Sequence, residues 1–253
     1  DSNINENFRL IEDRMLARGQ SRLAIETFRH YYIQAVNGET GIIASDTIEP
    51  VNNVVELDQL DKYSVRGAEA LKQAVIIKLN GGLGTNMGLD RAKTLLSAKN
   101  GLRFIDIILN QVSGLRKEHS IQLPLLFMDS FRTQQDSAEV VQSAPGFLAG
   151  QNQIPYSFIQ NMVPKILRDN WRPVDWAKDP GAEWCPPGHG DIYTALLQTG
   201  LMDRLLDRGY RYAFVSNGDN LCAQLDLRIL GFMAENQIPF LMEVAKRREM
   251  DKK

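Results

Sequence analysis

The 253-residue chain has only two cysteines, Cys185 and Cys222, and three histidines. Two cysteines form neither a disulfide framework nor a four-ligand zinc site by themselves, and no metal-ligand spacing pairs the histidines. No apolar run approaches the roughly 20 residues that span a bilayer. No positively charged start precedes an apolar stretch, so no secretory signal is predicted. These absences predict a reduced, cytoplasmic protein with no membrane partner.

The chain also lacks an excess of charge of either sign. Lys and Arg total 29 against 31 for Asp and Glu, which gives a formal net charge of -2. Nucleic-acid binders usually carry a basic excess for phosphate contacts, so a nucleic-acid partner is disfavoured. A hydrophobic share of 43% and a charged share of 24% are ordinary for a globular protein.

The two ends of the chain are unusual. It begins at Asp1 without Met and stops in a charged run over residues 246–253. We therefore expect the chain to be a piece of a longer protein, cut off at its C-terminal end.

Residues 1–66 are predicted to form an N-terminal helical segment and a connector. Ile4, Phe8, Ile11 and Met15 recur at helical spacing, and a second helical stretch runs over residues 23–35. Gly19 is a plausible stop between them and Ser21 a plausible N-cap. Residues 37–66 are polar and irregular, and we expect a connecting segment there with short edge strands.

From residue 74 the pattern changes to alternating strands and helices. Apolar runs predict strands over residues 74–79, 123–128, 212–216 and 240–244. Helices are predicted over residues 105–115, 130–142 and 192–206, the last stopped by Gly209. This alternation predicts an α/β fold with a doubly wound, mostly parallel sheet over residues 67–253. Ligands bind such sheets beyond the carboxyl ends of the strands.

The first strand runs into a glycine-rich loop over residues 79–88 (LNGGLGTNMG). Four glycines in the eight positions 81–88 let backbone N–H groups approach a phosphate closely. The loop lacks the Lys-Ser or Lys-Thr pair of a P-loop. Its glycine spacing also misses the dinucleotide fingerprint, which counts against a dehydrogenase. Lys93 lies close enough along the chain to reach the same phosphates.

Five segments together carry a family resemblance. They are residues 79–94 (LNGGLGTNMGLDRAKT), 128–133 (MDSFRT), 158–165 (FIQNMVPK), 184–193 (WCPPGHGDIY) and 216–221 (SNGDNL). In this order they resemble the motifs of the UDP-glucose pyrophosphorylases, also called UTP–glucose-1-phosphate uridylyltransferases. The resemblance covers roughly residues 70–245 and implies a Rossmann-like nucleotidyltransferase domain.

The resemblance implies a nucleotide site. Residues 79–82 (Leu79, Asn80, Gly81 and Gly82) would cradle the uracil and ribose of UTP, and Lys93 would neutralise its phosphates. Gln160 would hydrogen-bond the uracil edge, since an amide both donates and accepts. Gly188 would let the backbone meet the nucleotide. From the residues alone, Gln160 is better interpreted as an ordinary surface side chain.

The resemblance also implies a sugar-phosphate site and a metal. His189 would contact the sugar phosphate, and Asn217 and Asn220 would hold the sugar nucleotide. Asp219 would bind Mg²⁺ together with substrate phosphates, the usual magnesium arrangement. Asp219 as a cap of the next turn stays open.

The implied reaction joins UTP and glucose 1-phosphate to give UDP-glucose and pyrophosphate, reversibly. Lys93 and Asp219 would be the catalytic residues. The four small molecules would be the only partners that the resemblance implies, and the oligomeric state stays open, a homo-oligomer included.

Three departures from the family pattern qualify these expectations. Cys222 stands where members usually have glycine, so the backbone after Asn220 is expected to differ. Residues 90–93 (DRAK) replace the Gly-Pro-Lys version common in eukaryotic members, which predicts a bacterial branch. Members also continue past this length, with another phosphate-binding lysine and a C-terminal β-helical domain, so this chain alone is expected to turn over poorly.

Two alternatives stay open. A pyrophosphorylase for another UDP-sugar, such as UDP-N-acetylglucosamine, usually has arginine where this chain has Asn86. A non-catalytic sugar-nucleotide-binding protein would be compatible with Cys222.

Overall fold

A computed structural model describes residues 2–84, 88, 91–246 and 248, with the side chains of residues 2, 3 and 145 left aside. The helices of this part are α1 (Ser2–Ala17), α2 (Arg22–Val36), α3 (Ser64–Ala70), α4 (Phe104–His119), α5 (Gln134–Gln142), α6 (Pro145–Leu148), α7 (Ile192–Gln198), α8 (Leu201–Asp207) and α9 (Leu227–Asn236). The strands are β1 (Ala74–Leu79), β2 (Ser97–Lys99), β3 (Leu102–Arg103), β4 (Leu125–Asp129), β5 (Ser157–Ile159), β6 (Val163–Pro164), β7 (Trp184–Cys185) and β8 (Tyr212–Asn217).

The central sheet is parallel, with strand order β5-β4-β1-β8. Counted along the chain, its strands therefore lie in the order 3-2-1-4, which is the beginning of the Rossmann order. After β1, the chain adds β4 and β5 on one side of that strand and then adds β8 on its other side. A crevice opens at such a switch point, here between β1 and β8. The fold thus places a candidate ligand crevice where β1 and β8 end.

Hydrophobic layers cover both faces of this sheet, as the alternating pleat of β1 requires. Ala74 and Ile76 join a cluster with α4, α5 and α9. Val75 and Ile77 join a second cluster with α7 and α8 on the opposite face. The predicted α/β fold with a doubly wound, mostly parallel sheet is confirmed.

The N-terminal helices pack away from the sheet, against the small β6–β7 hairpin. Phe8, Ile11 and Met15 of α1 share a core cluster with Val163 and Trp184. The predicted N-cap is confirmed, because the backbone N–H of Ala24 donates to Ser21 Oγ over 3.1 Å. The predicted stop at Gly19 is also confirmed, since Gly19 has a φ of 71°.

Helices α3 and α9 cross at backbone distance through two glycines. A Cβ at Gly67 would lie 1.8 Å from the carbonyl oxygen of Leu227. A Cβ at Gly231 would lie 2.0 Å from the carbonyl oxygen of Tyr63. Through this crossing, residues 57–70 pack against α9. The proposed boundary between residues 66 and 67 falls inside α3 and stays a prediction.

The helix predicted over residues 192–206 is two helices. Gly200 has a φ of 65°, a left-handed conformation that ends α7 and starts α8. The Thr199 hydroxyl donates to the Ala195 carbonyl over 2.7 Å, which completes the end of α7. The helix expected from residue 130 begins only at Gln134, after a turn.

Two predicted sets of strands are wrong. Residues 37–66 hold short 3-10 turns (Ser45–Thr47 and Leu57–Tyr63) and the start of α3, and no strand lies within that fully described range. Residues 240–244, also fully described, form no strand. The side chains of Phe240, Met242 and Val244 are mostly exposed.

The strand β8 is the least buried strand of the central sheet. It lies at the edge of the central sheet, and its residues alternate between half-buried and exposed. Asp219 therefore follows an edge strand. None of the described helices is long and apolar enough to cross a bilayer.

Candidate nucleotide and sugar-phosphate site

The carboxyl ends of β1 and β8 meet at the switch point. Leu79 lies opposite Asn217 in the parallel register. The Gly218 N–H donates to the Leu79 carbonyl over 2.8 Å, which carries the pairing one residue past β8. A Cβ at Gly218 would lie 2.8 Å from Thr94 Cγ2, so only glycine fits beside that side chain. The turn bearing Asp219 is therefore held against the end of β1.

Lys93 and Asp219 lie together above this junction. The Lys93 ammonium lies 3.5 Å from Asp219 Oδ2, and the two side chains are 41% and 44% exposed. An ion pair of this length and exposure is weak. Both groups can therefore turn to a phosphate or a cation at little cost.

Gln160 packs directly on the glycine loop. A Cβ at Gly81 would lie only 1.8 Å from Gln160 Nε2, so glycine is required for this contact. Gln160 is 5% exposed, and its Oε1 is buried with no hydrogen-bond partner within the described structure. A buried acceptor left unpaired costs about 1–3 kcal/mol. A ligand N–H would remove that cost once the Gln160 amide turned toward the crevice.

Asn80 belongs to a buried polar network under the loop. Its Nδ2 donates to Asp129 Oδ1 over 2.7 Å and to Ser137 Oγ over 2.8 Å. Its Oδ1 accepts from Thr94 Oγ1 over 2.7 Å. Ser157 Oγ also donates to Asp129. Because the side chain of Asn80 is fully engaged, only its backbone can meet a nucleotide.

Asp129 is the acceptor at the centre of this network, at the end of β4. Burial raises the pKa of Asp129 to about 6, although hydrogen bonds from Ser157, Ser137 and Asn80 each favour the carboxylate. Desolvation therefore outweighs these donors and a fourth, smaller contribution from Thr133. A group in this position fixes the strand ends rather than meeting a ligand.

Gly188 and His189 lie on a neighbouring loop that is anchored beside Gln160. Gly188 has a φ of 112°, a backbone conformation that favours glycine. Asp191, two residues after His189, accepts from Asn161 N over 2.6 Å and from Asn161 Nδ2 over 2.7 Å. Burial raises the pKa of Asp191, while the Asn161 bonds oppose that shift. His189 itself is exposed.

The turn after β8 is closed by Asn220. Its Oδ1 accepts from the backbone N–H of Cys222 over 3.1 Å and of Ala223 over 3.3 Å. The cap of this turn is thus Asn220, and Asp219 instead pairs with Lys93. Cys222 has no positive φ, so a non-glycine residue fits there without strain.

A lysine lies buried next to this turn, inside the apolar run of β1. Lys78 donates to Ser216 Oγ over 2.7 Å and to the Ala223 carbonyl over 2.9 Å. Its ammonium also lies 5.5 Å from the Phe214 ring centroid. Burial lowers the pKa of Lys78 to about 8. Lys78 ties β1 to both ends of the turn that carries Asp219.

The structure brings most of the predicted site residues together. The end of β1, Gly81, Gln160, Lys93 and Asp219 share one crevice, along with Gly82, Asn217 and Asn220. Gly188 and His189 are joined to it only through the bonds between Asp191 and Asn161. Residues 85–87, 89 and 90 lie outside the described part, and Asn86 and Asp90 with them.

Sequence reasoning gave no role to Lys78, Asp129 or Asp191. The sequence does contain a signal for Lys78, because burying a lysine in an apolar strand costs free energy. Asp129 and Asp191 left none, because an aspartate after a strand or before a helix is ordinary in either role.

The chain matches known proteins over most of its length. The family model described as "UTP--glucose-1-phosphate uridylyltransferase" matches residues 25–253. A protein of that name from Solanum tuberosum is 37% identical over 79% of this chain and 42% of its own length. A second, from Dictyostelium discoideum, is 33% identical over 90% of this chain and 46% of its own length.

Solved structures agree with the model. A UDP-glucose pyrophosphorylase mutant from Leishmania major in complex with UDP-glucose superposes with a TM-score of 0.88 at 41% identity. The alignment covers 98% of this chain and 51% of that one. The enzyme described as UDP-glucose phosphorylase from Trypanosoma brucei gives 0.86 at 41% identity, with the same two coverages.

These relatives are eukaryotic, so the expected bacterial branch gains no support from them. The chain spans about half the length of the curated relatives it matches. Since the family model covers most of the chain and the relatives agree with it, the chain belongs to the UTP–glucose-1-phosphate uridylyltransferase family.

Proposed function

We propose that this chain forms the uridine nucleotide site of an enzyme that makes UDP-glucose and pyrophosphate from UTP and glucose 1-phosphate. The observation that carries the proposal is the unpaired, buried Oε1 of Gln160 beside Gly81. Uracil offers a ring N–H to such an acceptor. The Leishmania major relative was solved with UDP-glucose, which agrees with a uridine ligand.

The polar groups of the crevice fit the charges of this reaction. An oxygen of the sugar phosphate attacks the α-phosphorus of UTP, a new P–O bond forms, and the bond to pyrophosphate breaks. This chemistry asks the protein mainly to position the reactants and to neutralise charge. We assign the neutralising charge to Lys93 and the sugar-phosphate contact to His189. Backbone groups of residues 79–82 and Gly188 would surround the nucleotide.

We assign magnesium binding to Asp219, with Asn217 and Asn220 beside the sugar nucleotide. No cluster of three or more His, Cys, Asp or Glu that could hold a metal lies among the described residues. A single carboxylate with substrate phosphates and water still fits Mg²⁺, which often binds in that way. The exposed carboxylate of Asp219 meets this requirement once Lys93 turns away to the phosphates. Bound there, the ion would add positive charge near the transferred group.

Titration calorimetry with magnesium present tests the proposal. We expect UTP and UDP-glucose to bind and ATP and NAD not to bind, as a site specific for uridine nucleotides predicts. UDP-N-acetylglucosamine separates the glucose assignment from the other UDP-sugar. Equal binding of ATP and UTP would contradict a uridine site.

A pyrophosphate-release assay distinguishes catalysis from binding alone. Release from UTP and glucose 1-phosphate would support the enzyme, and binding without release by a full-length version would favour a sugar-nucleotide-binding protein. We place the reaction in the cytoplasm, in agreement with two free cysteines.

A further inference from the structure

The segment around Lys93 is held from both sides by the β4–α5 region. The backbone N–H of Ala92 donates to Asp136 Oδ2 over 2.7 Å. On the other side, Thr94 Oγ1 donates over 2.7 Å to Asn80, which belongs to the buried Asp129 network. The two neighbours of Lys93 are therefore fixed, while its own side chain makes only the weak ion pair with Asp219 and can reorient.

The glycine loop contributes much less to this segment. The Lys93 N–H lies 3.5 Å from the Gly82 carbonyl oxygen, and the Gly84 N–H lies 3.4 Å from that of Arg91. Both distances are at the long limit for an N–H···O bond, where the interaction is weak. The short bond to Asp136 is therefore the principal backbone anchor on the N-terminal side of Lys93.

Asp136 is itself in a rigid position. It lies in the first turn of α5, where a carboxylate is favoured by the helix dipole. The preceding turn is closed by a bond from Ser130 N to Thr133 Oγ1 over 2.9 Å. The next residue, Ser137, donates to Asp129 over 2.8 Å. Asp136 thus fixes the position of Ala92 relative to the sheet.

We propose that Asp136 is a positioning residue, which holds Ala92 so that the Lys93 ammonium is aimed at the phosphates of the nucleotide. The inference rests on the proposed function, because it uses the role of Lys93 there. Asp136 does not contact Lys93 side-chain atoms or Asp219 in this arrangement; it acts through the backbone of Ala92.

The test compares three substitutions on α5 by UTP calorimetry and by unfolding. Asp136→Ala removes the acceptor, and we expect UTP affinity to fall about tenfold, the loss of one charge-assisted hydrogen bond. Asp136→Asn keeps an acceptor oxygen, so affinity should stay within about twofold. Glu139→Ala removes an exposed carboxylate of the same helix and should leave UTP affinity unchanged.

A double-mutant cycle with Lys93→Ala separates the two proposals. If Asp136 acts through Lys93, Asp136→Ala has little further effect on UTP affinity once Lys93 is removed. An equal tenfold loss in both backgrounds would overturn the positioning role. Unchanged UTP affinity in Lys93→Ala alone would instead refute the role of Lys93 in the proposed function.

Ala92→Pro gives a second route if Asp136→Ala does not fold alone. Ala92 has a φ of -56°, which suits proline, and the ring fixes that angle without the hydrogen bond. In the Ala92→Pro background we expect Asp136→Ala to leave UTP affinity within about twofold of that of the Ala92→Pro variant alone. A tenfold loss there would mean that Asp136 acts elsewhere, and the proposal would fail.

Discussion

Polar side chains are buried on one side of the carboxyl end of β1 and partly exposed on the other. Toward β4, Asn80, Asp129 and Ser137 are buried and bonded to one another over 2.7–2.8 Å. Toward β8, Lys93 and Asp219 are partly exposed and share one ion pair of 3.5 Å. Both sides flank the same strand, but β4 lies inside the sheet and β8 lies at its edge, so the difference in burial follows from the positions of the two strands.

This difference indicates a division of labour. Satisfied buried polar networks make a region rigid and are costly to disturb. Exposed ion pairs contribute little stability and rearrange easily. The β4 side therefore serves as the support for the crevice, and the β8 side presents the groups that a substrate would meet.

The largest expected effect is on turnover, from the exposed side. Lys93→Ala should lower release of pyrophosphate from UTP and glucose 1-phosphate by about 10²- to 10³-fold, as loss of a charge-stabilising group does. Its unfolding free energy should change by less than about 0.5 kcal/mol, because the pair with Asp219 is weak.

Lys99→Ala is the matched control, since Lys99 is an exposed lysine on β2. Turnover near the parent value in a folded Lys93→Ala protein would remove Lys93 from the mechanism. If Lys93→Ala instead lost much of its unfolding free energy, the contrast between a supporting β4 side and an adaptable β8 side would be contradicted.

The second effect is on stability, from the buried side. Asp129→Ala leaves the donors of Asn80, Ser137 and Ser157 without their acceptor, and we expect unfolding free energy to fall by about 3 kcal/mol. Urea unfolding measures the change. Asp207→Ala, an exposed aspartate on α8, should change it by less than about 0.5 kcal/mol. Similar losses in the two variants would contradict a supporting role for the network.

The smallest effect depends on pH and concerns Lys78. Its pKa is 10.5 in the unfolded chain and about 8 in the folded protein, because burial disfavours the ammonium. Below pH 8 both states are protonated, and the burial penalty is fully present. Between pH 8 and 10.5 the folded state releases the proton first, so the contribution of Lys78 to unfolding free energy rises with pH.

Lys78→Met lacks this titration, so unfolding of the two proteins should be compared at pH 7 and pH 10. The parent should gain on the order of 2 kcal/mol relative to the variant over that interval. The comparison removes the titration of other groups, which both proteins share. A constant difference would mean that the Lys78 ammonium is as well stabilised as in water.

The sequence could predict the parts of this fold that depend on local patterns. Runs such as residues 74–79 identified β1, and helical spacing identified α1 and α4, because burial of one face imposes a period. The break at Gly200 was not predicted, since the apolar period continues across it from α7 to α8. Only the left-handed conformation of that glycine divides the two helices.

Other errors arose from neighbours that a sequence pattern does not contain. Residues 240–244 have the composition of a strand, but a strand needs a partner, and Phe240 remains exposed. Likewise, β8 reads as a buried strand, yet it lies at the sheet edge. The ends of β1 and β8 meet because parallel strands bring their carboxyl ends to one edge of the sheet whatever their order.

The same distinction between local patterns and distant contacts applies to the candidate site. Lys93 and Asp219 were found through motifs, and the structure joins them. Their supporting residues, Asp129 and Asp136, were missed because hydrogen bonds between distant segments leave no local trace in a sequence.

The unpaired oxygen of Gln160 also has a consequence for base selection. Uracil and cytosine have nearly the same shape, but the ring nitrogen that carries hydrogen in uracil carries a lone pair in cytosine. A lone pair facing an amide oxygen repels it, and the oxygen would stay unpaired. To pair with cytosine instead, the Gln160 amide beside Gly81 would have to present its N–H group. The unpaired oxygen of Gln160 would therefore make the crevice discriminate between two pyrimidines that differ in one ring N–H and in an amine in place of a carbonyl oxygen.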